Sequence, residues 1–441
     1  MRKVGLYTLG CKVSLYESEA VGEAFERAGF EVAPFEDVCD VYVINTCTVT
    51  AESDAKSRKY IRRAIRRNPD AVVIAIGCYT QRAPEEALKI DGISAVIGTE
   101  NKLSAVDIAL KILSERESSL NKNTPTVSVT ALDSAGFEPM CIERAPRTRA
   151  YVKIEDGCEC RCTYCAISGA RGPVRSKNPD EVIREVEGLY KNGTREIVLT
   201  GIETGSYGAD FAEKYDLADL LAALDERGSC ERVRLGSMAP ELLSEKFITR
   251  VSPLGILTPH FHVSMQSGSD SVLRAMKRRY NRIMALDNIK RIKASISGVM
   301  LTADLMVGFP GETEEDFLDT LRFVSEAELL DAHVFAYSKR EGTPAADYPD
   351  QIPEEIKRER SAALIAECAR VRDEVLSRVV ARGEPLSVIF ESKKGGMLYG
   401  HSDSYIEVYA EGDGACGELH LVQPERHEKG AIYGKVIKNN N

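Results

Sequence analysis

The sequence predicts an α/β chain in three parts: an N-terminal doubly wound parallel sheet, a central partial (β/α)6 barrel and a small all-β barrel at the C-terminus. Three observations lead there. Near the N-terminus, β-branched apolar runs alternate with amphipathic helical segments in the order β, α, β, α, β, which implies a parallel sheet. From RAYVKIEDG onward, six strand candidates are separated by long amphipathic segments. Beyond a long helical pattern that ends at Gly383, only short strands and turns remain. The 441 residues agree with about three domains, at ~100–200 residues each. We place them at 1–115, 144–376 and 377–441, with a linker over 116–143.

Composition narrows the class. With 43% hydrophobic and 29% charged residues and no Trp, the chain is ordinary for a soluble enzyme. No apolar run approaches the ~20 residues of a membrane span. The opening MRKVGLYTLGC has too short an apolar run for a secretory signal, and no small-residue cleavage site follows. The expected location is the cytoplasm, without membrane contact. Twelve cysteines in a reducing compartment point to metal ligation or catalysis more than to disulfides, with some simply buried. A net charge of −10 leaves nucleic-acid binding to local basic surfaces.

In the first part, VGLYTLGC ends at Cys11, VYVINTC at Cys47 and VVIAIGC at Cys78. Any one of these alone would read as core packing. Three at the same phase, on strands whose C-terminal ends share one edge, imply that the thiols converge. Three thiolates without a fourth protein ligand suit an iron–sulfur cluster with one open iron, or a zinc that holds water. Cys39, in the polar EDVCD segment, lacks the strand-end setting and reads as structural. The second helix, ESDAKSRKYIRRAIRRNPD, carries Lys56, Arg58, Lys59, Arg62, Arg63, Arg66 and Arg67, with Ile61 and Ile65 on its buried side. Charge alone divides evenly between a solvated face and an RNA phosphate contact, for which Arg58, Arg62 and Arg66 are the candidates. Residues 116–148 lack helical periodicity and read as a linker with a short hairpin around TVSVTAL.

The first strand of the central part runs into GCECRCTYC, where Cys158, Cys162 and Cys165 form C-x3-C-x2-C. A zinc ribbon would need a second close pair downstream, and none follows. Three cysteines in one tight loop can hold three irons of a 4Fe-4S cluster and leave the fourth open to a chelating ligand. With Tyr164 before the last cysteine, the motif resembles the signature of radical S-adenosylmethionine (SAM) enzymes. That resemblance implies that the open iron binds the amino and carboxylate groups of SAM, which is cleaved to a 5′-deoxyadenosyl radical, and that Cys160 is a bystander. Strand position puts Thr200, Gly201 and Gly205 of TGIETG, Ser237 of LGSM, Gln266 of MQSGS and Gly308 of VGFPGE at the active edge as cofactor contacts, although turn chemistry explains the glycines equally well. Arg171, Arg175 and Lys177 follow the cysteine loop, and RAMKRRYNR lies further on. Two basic patches near one mouth favour RNA, with Arg171 and Arg175 as contacts.

In the last part, LSVIFE, LYGHSDSYIEVYAE, ELHLVQ and GAIYGKVI read as the strands of the small barrel. GDGACG matches G-x-G-x-x-G but joins two strands, so it is a turn and not a dinucleotide site.

Taken together, LGCKVSLYESEA, YVINTCTVT, AKSRKYIRRAIRRNPD, IGCYTQ and the C-x3-C-x2-C loop resemble the methylthiotransferases of the MiaB/RimO/MtaB group along essentially the whole chain, and most of all the MtaB branch. The resemblance implies an auxiliary 4Fe-4S cluster on Cys11, Cys47 and Cys78, a radical-SAM cluster on Cys158, Cys162 and Cys165, and a C-terminal TRAM (OB-like) barrel that holds tRNA. It further implies that two SAM molecules and both clusters add a methylthio group to C2 of N6-threonylcarbamoyladenosine in the anticodon stem-loop. An electron donor such as flavodoxin or ferredoxin would supply the reducing electron. The other substrates of the group, isopentenyl-adenosine in tRNA and a ribosomal-protein aspartate, are the alternatives. From another class, a non-catalytic zinc RNA-binding protein would bind zinc and show no visible absorption.

Overall fold

A computed structural model describes residues 1–118, 124–132 and 136–437. It divides into two compact units, each made of several chain segments. The first unit comprises Met1–Ile142, Glu155–Lys177 and Ser338–Ala346. The second comprises Glu143–Ile154, Asn178–Tyr337 and Asp347–Asn441.

The first unit is built on six strands: β1 (Lys3–Thr8), β2 (Glu31–Ala33), β3 (Val41–Thr46), β4 (Val72–Gly77), β5 (Ala95–Ile97) and β6 (Thr126–Ser128). They lie in the order β2-β1-β3-β4-β5-β6, and every pairing is parallel. The chain leaves β1 to one side for β2 and returns to the other for β3, so the sheet reverses between β1 and β3. Central strands β3 and β4 are buried at every position, as their continuous apolar runs require of a sheet covered on both faces. Helix α1 (Lys12–Arg27) and helix α2 (Ala51–Arg67) follow β1 and β3, and the short helix α3 (Cys78–Arg82) follows β4. Thr50 caps α2 by accepting from the Ser53 amide, with Glu52 and Asp54 in its first turn and Arg66 and Arg67 in its last, the charge order the helix dipole favours.

TVSVTAL is not a hairpin. Its first three residues form β6, an edge strand in register with β5, so the N-terminal sheet extends past residue 115. Three half-exposed residues carry too little apolar signal to separate an edge strand from a turn. Within the expected linker, residues 119–123 and 133–135 lie outside the described residues.

The second unit carries the half-barrel: β7 (Arg149–Lys153), β8 (Glu196–Thr200), β9 (Arg232–Leu235, resumed at Ser237–Met238), β10 (His260–Gln266), β11 (Met300–Val307) and β12 (Asp331–Ala336). All pair in parallel, β9-β8-β7 on one side of the break in β9 and β9-β10-β11-β12 on the other. The break falls at Gly236, where a Cβ would stand 2.6 Å from Thr204 Oγ1 and 3.1 Å from the Leu199 carbonyl, so only glycine lets the strands turn there. This is the expected partial (β/α)6 barrel.

Helix Glu354–Arg382 runs on to Gly383, which takes a left-handed φ of 66° as its C-cap. This helix crosses residue 376, and the first strand of the small barrel begins at Leu386. There β13 (Leu386–Lys394), β14 (Met397–Ser402), β15 (Glu407–Glu411), β16 (Leu419–Glu428) and β17 (Ala431–Val436) close into the small barrel. Tyr405 anchors the barrel to the N-terminal ends of the half-barrel strands. Its ring stacks on His260 at 4.7 Å and lies under the Arg234 guanidinium at 4.9 Å. Arg234 and Arg149 both pair with the buried Glu196 at 2.8 Å. Burial would raise the Glu196 pKa, but Arg234 and Arg149 bring it down to about 2. Among the described residues, no helix is long and apolar enough to cross a membrane.

Candidate active site

β1, β3 and β4 are neighbours in the sheet, and each delivers a cysteine at its C-terminal end. Cys11 is the N-cap of α1, Cys47 follows β3 directly, and Cys78 opens α3. The register sets Thr8 beside Asn45 and Thr46 beside Gly77, so the strands end nearly level. Cys11 and Cys47 flank the point where the strand order reverses, the usual ligand position of an open α/β sheet. Side-chain bonds fix the strand ends: Asn45 donates to the Ser14 carbonyl at 2.9 Å, and Thr46 Oγ1 to the Ile76 carbonyl at 2.7 Å.

Backbone fit around this trio is tight. Gly10 has φ 110°, and a Cβ there would stand 3.3 Å from Cys47 Cβ and 3.4 Å from its sulfur. Gly77, at φ 103°, leaves no room either, with Asn45 Oδ1 at 2.5 Å and the Thr46 carbonyl at 2.8 Å from the built Cβ. Cys47 and Cys78 are buried and Cys11 is exposed. Burial pushes the Cys47 thiol up and the Cys78 thiol to about 12; Arg171 pulls Cys78 down, and Cys11 contributes to the rise of both. Aligned at neighbouring strand ends, the three thiols would bind iron as thiolates, with loss of their protons.

Cys158, Cys162 and Cys165 are held differently, by turns within one loop between the short antiparallel strands Glu155–Asp156 and Arg175–Ser176. Gly157, at φ 94°, brings the chain against itself: a Cβ would lie 1.8 Å from the Pro173 carbonyl. The Cys158 amide donates to the Gly172 carbonyl at 3.0 Å, and the Cys165 amide to Cys162 at 3.1 Å. Arg161 takes a left-handed φ of 47°. The Ile167 amide points at Cys165 Sγ at 3.4 Å, a donor that favours a charged sulfur. Cys162 is buried, and Cys158, Cys160, Tyr164 and Cys165 are half-buried.

Both trios belong to the first unit, and one side chain joins their surroundings. Arg171 ends helix Ile167–Arg171 after the cysteine loop, is wholly buried, and donates from Nε to Cys78 Sγ at 3.1 Å. Its Nη1 and Nη2 grip Glu17 at 2.5 and 3.1 Å, and Nη1 also reaches Asp156 at 3.1 Å. Lys102, equally buried, pairs with Glu17 at 3.2 Å and Glu138 at 2.9 Å. Despite burial, the carboxylates of Asp156 and Glu17 and the Cys78 sulfur hold Arg171 firmly charged. Arg175 is buried as well, 3.0 Å from Glu100. The expected RNA contacts at Arg171 and Arg175 are therefore corrected: their guanidinium groups are spent on internal carboxylates. Arg62 and Arg66 are exposed, whereas Arg58 is half-buried, 3.5 Å from Glu86.

In the second unit, Thr200 ends β8 and Gly201 follows it, Ser237 stands in β9, Gln266 ends β10 and Gly308 follows β11, so all of these expected contacts reach C-terminal strand ends. Gln266 carries φ 67° beyond an irregularity in the β10–β11 register, a strained position of the kind that gathers at functional sites. Two glycines have packing duties of their own. At Gly205 a Cβ would press on Leu242 at 2.7 Å, and at Gly308 on Lys357 at 2.3 Å. Sequence reasoning missed Glu312, which accepts from the Gly308 amide and from Arg360 Nη1 at 2.7 Å each. The acid in GFPGE was the one available signal.

A C-x3-C-x2-C loop in a chain that also carries a parallel (β/α)6 half-barrel defines a radical SAM enzyme, a class that uses SAM and a 4Fe-4S cluster. The Radical SAM superfamily model matches residues 152–324, and that of the uncharacterized protein family UPF0004 matches residues 3–98. The threonylcarbamoyladenosine tRNA methylthiotransferase MtaB of Bacillus subtilis is 40% identical, covering 93% of this chain and 91% of its own. Its Thermotoga maritima counterpart is 34% identical over 98% and 96%. The tRNA-2-methylthio-N(6)-dimethylallyladenosine synthase of Alkaliphilus oremlandii is 33% identical over 85% and 79%. The chain belongs to the MtaB family of radical SAM methylthiotransferases. Among solved structures, the radical SAM methyltransferase TsrM of Kitasatospora setae shares the fold, with a TM-score of 0.58 at 17% identity over 78% of this chain and 74% of its own.

Proposed function

We propose that this chain methylthiolates C2 of N6-threonylcarbamoyladenosine in the anticodon stem-loop of tRNA, with two 4Fe-4S clusters and two molecules of SAM. One observation carries the reading: a second trio of cysteines stands at adjacent strand ends in the same unit as the C-x3-C-x2-C loop, with the buried Arg171 donating to one of its sulfurs. Cys158, Cys162 and Cys165 would hold the cluster that binds SAM, and Cys11, Cys47 and Cys78 the auxiliary one. When bound, these groups supply the electron, the radical that removes the adenine hydrogen, and the methylated sulfur that replaces it. The chain's own residues position them. Arg171 places a fixed positive charge on the Cys78 sulfur, and the Gly10 and Gly77 turns set the spacing of the trio.

Two surfaces suit the RNA. On α2, Lys59, Arg62 and Arg66 are exposed on one basic helix. On the small barrel, Tyr399, Tyr409 and Tyr433 are register partners across β14, β15 and β17, and Tyr409 and Tyr433 stack at 5.1 Å. Lys394 lies over Tyr399 at 3.2 Å and Arg426 over Tyr433 at 4.1 Å, so the aromatic ladder ends in a cation on each side, a surface for base stacking and phosphate contact. The reductant would be a small electron carrier of the flavodoxin or ferredoxin kind, and the setting the cytoplasm, where tRNA is modified.

Mass spectrometry of tRNA nucleosides from a deletion strain tests this reading. The wild-type gene restores 2-methylthio-N6-threonylcarbamoyladenosine, and Cys78→Ala leaves only the precursor. Persistence of the methylthio nucleoside in a deletion strain without a second copy overturns it. In binding assays, each phosphate contact removed by Arg62→Ala or Arg66→Ala lowers the slope of log affinity against log salt by about one.

A further inference from the structure

In the second unit, three neighbouring strands of the half-barrel bring together His262 of β10, Asp304 of β11 and His333 of β12. Asp304 and His333 are direct register partners, and His262 is paired with Thr302, two residues before Asp304 on the same face of β11. His262 Nε2 lies 3.2 Å from Asp304 Oδ2, and His333 Nδ1 lies 3.4 Å from Asp304 Oδ1. All three ligand atoms fall within 4.8 Å of one another. We propose that His262, Asp304 and His333 form a binding site for one divalent transition-metal ion of the zinc or iron(II) class, on side chains other than the cluster cysteines.

Three features support the assignment. Two imidazoles and one carboxylate are the donor set that such ions select, whereas magnesium and calcium prefer all-oxygen shells. The two histidine–carboxylate distances fit, because ligands about 2.1 Å from a common ion stand roughly 3.0 Å apart at right angles and 3.4 Å apart at tetrahedral angles. A charge-assisted hydrogen bond between imidazole and carboxylate would be shorter, at about 2.7–2.9 Å. A hydroxyl also stands behind His262. Thr302 Oγ1 stands 2.7 Å from its Nδ1 and 3.0 Å from His260 Nε2. A hydroxyl that accepts from His262 Nδ1–H and donates to His260 leaves the His262 Nε2 lone pair facing Asp304, the second-sphere arrangement typical of metal-bound histidine.

Access and rigidity agree with a loaded site. The His333 side chain is 80% exposed, which gives an ion a path in, while Phe261, Val263 and Met265 on the opposite face of β10 are buried and fix that strand. Three protein ligands leave one position or more of the shell for water or an oxygen donor.

The test uses the full chain, anaerobically reconstituted with iron and sulfide, passed over a chelating resin and then equilibrated with zinc chloride. Elemental analysis should find one zinc per chain beyond the iron. Zinc-edge X-ray absorption should show a nitrogen and oxygen shell at about 2.0–2.1 Å, without the sulfur shell at about 2.3 Å that zinc on cysteine would give. Asp304→Asn, which keeps the shape of the side chain, and His333→Ala, at an exposed position, should each lose that zinc with iron content and circular dichroism unchanged. Zinc that survives both substitutions, a sulfur-dominated shell, or no zinc above the variants' level would overturn the proposal. None of these readouts depends on tRNA methylthiolation.

Discussion

Cys11, Cys47 and Cys78 come from three strands spread over almost seventy residues, and the order of the sheet brings them level. Cys158, Cys162 and Cys165 come from one loop, set by turns and closures between Gly157 and Pro173. The strand-end trio has its geometry enforced by tertiary structure: level register, side-chain bonds from the strand ends, and glycines at φ 110°, where a Cβ would crowd Cys47, and φ 103°, where none fits. The loop trio has its geometry enforced locally, by the closure of Gly157 on Pro173 and amides turned toward carbonyls and one sulfur. Damage to the sheet should therefore reach only the first trio and damage to the loop only the second, with Arg171 as the element they share.

The largest effect should separate the two at the level of chemistry. Cys158→Ala is expected to abolish 5′-deoxyadenosine formation, whereas Cys78→Ala keeps it and loses the methylthio product. Chromatography of both products from one reaction checks this, and equal loss of 5′-deoxyadenosine in both variants would break the comparison. Next in size is the shared element. Arg171→Met leaves the buried Glu17 to Lys102 and the buried Asp156 to Arg175, a loss below the about 3–5 kcal/mol of a fully orphaned buried charge, which thermal denaturation should register. Arg171→Lys keeps the charge but not the fork. If it folds, the auxiliary cluster's reduction potential should fall as the hydrogen bond to its sulfur is lost, while the other cluster's stays put. Smaller again are the two glycines. Gly77→Ala forces a left-handed residue against Asn45 and Thr46, at about 1–3 kcal/mol, and should lower iron bound at the strand-end trio alone, as read by Mössbauer spectroscopy. Gly157→Ala should do the converse. Smallest is Cys160→Ser, for which iron content and 5′-deoxyadenosine yield should match the wild type.

Much of this was legible in the sequence because it repeats or is local. Strands that end in cysteine at the same phase can be read from periodicity alone, and so can a C-x3-C-x2-C loop after the first of six β-α units. What escaped depends on distant partners. Arg171 and Arg175 read as a basic patch because an arginine defaults to solvent, and the carboxylates that bury them come from residues 17, 100 and 156. The Arg171 bond to Cys78 spans 93 residues. His262, Asp304 and His333 lie on three strands whose alignment only the sheet register supplies. The tyrosine ladder of the small barrel likewise depends on which strands close against which.

The central claim is that the chain holds two separate clusters, each open at one iron and each on its own three cysteines. Iron analysis with Mössbauer and electron paramagnetic resonance on a variant with Cys158, Cys162 and Cys165 all replaced by Ala tests it most directly. The account predicts that iron falls from about eight to about four per chain, as one intact 4Fe-4S cluster that can still be reduced. A variant that loses all its iron, or a wild-type protein that never binds more than about four, would contradict it.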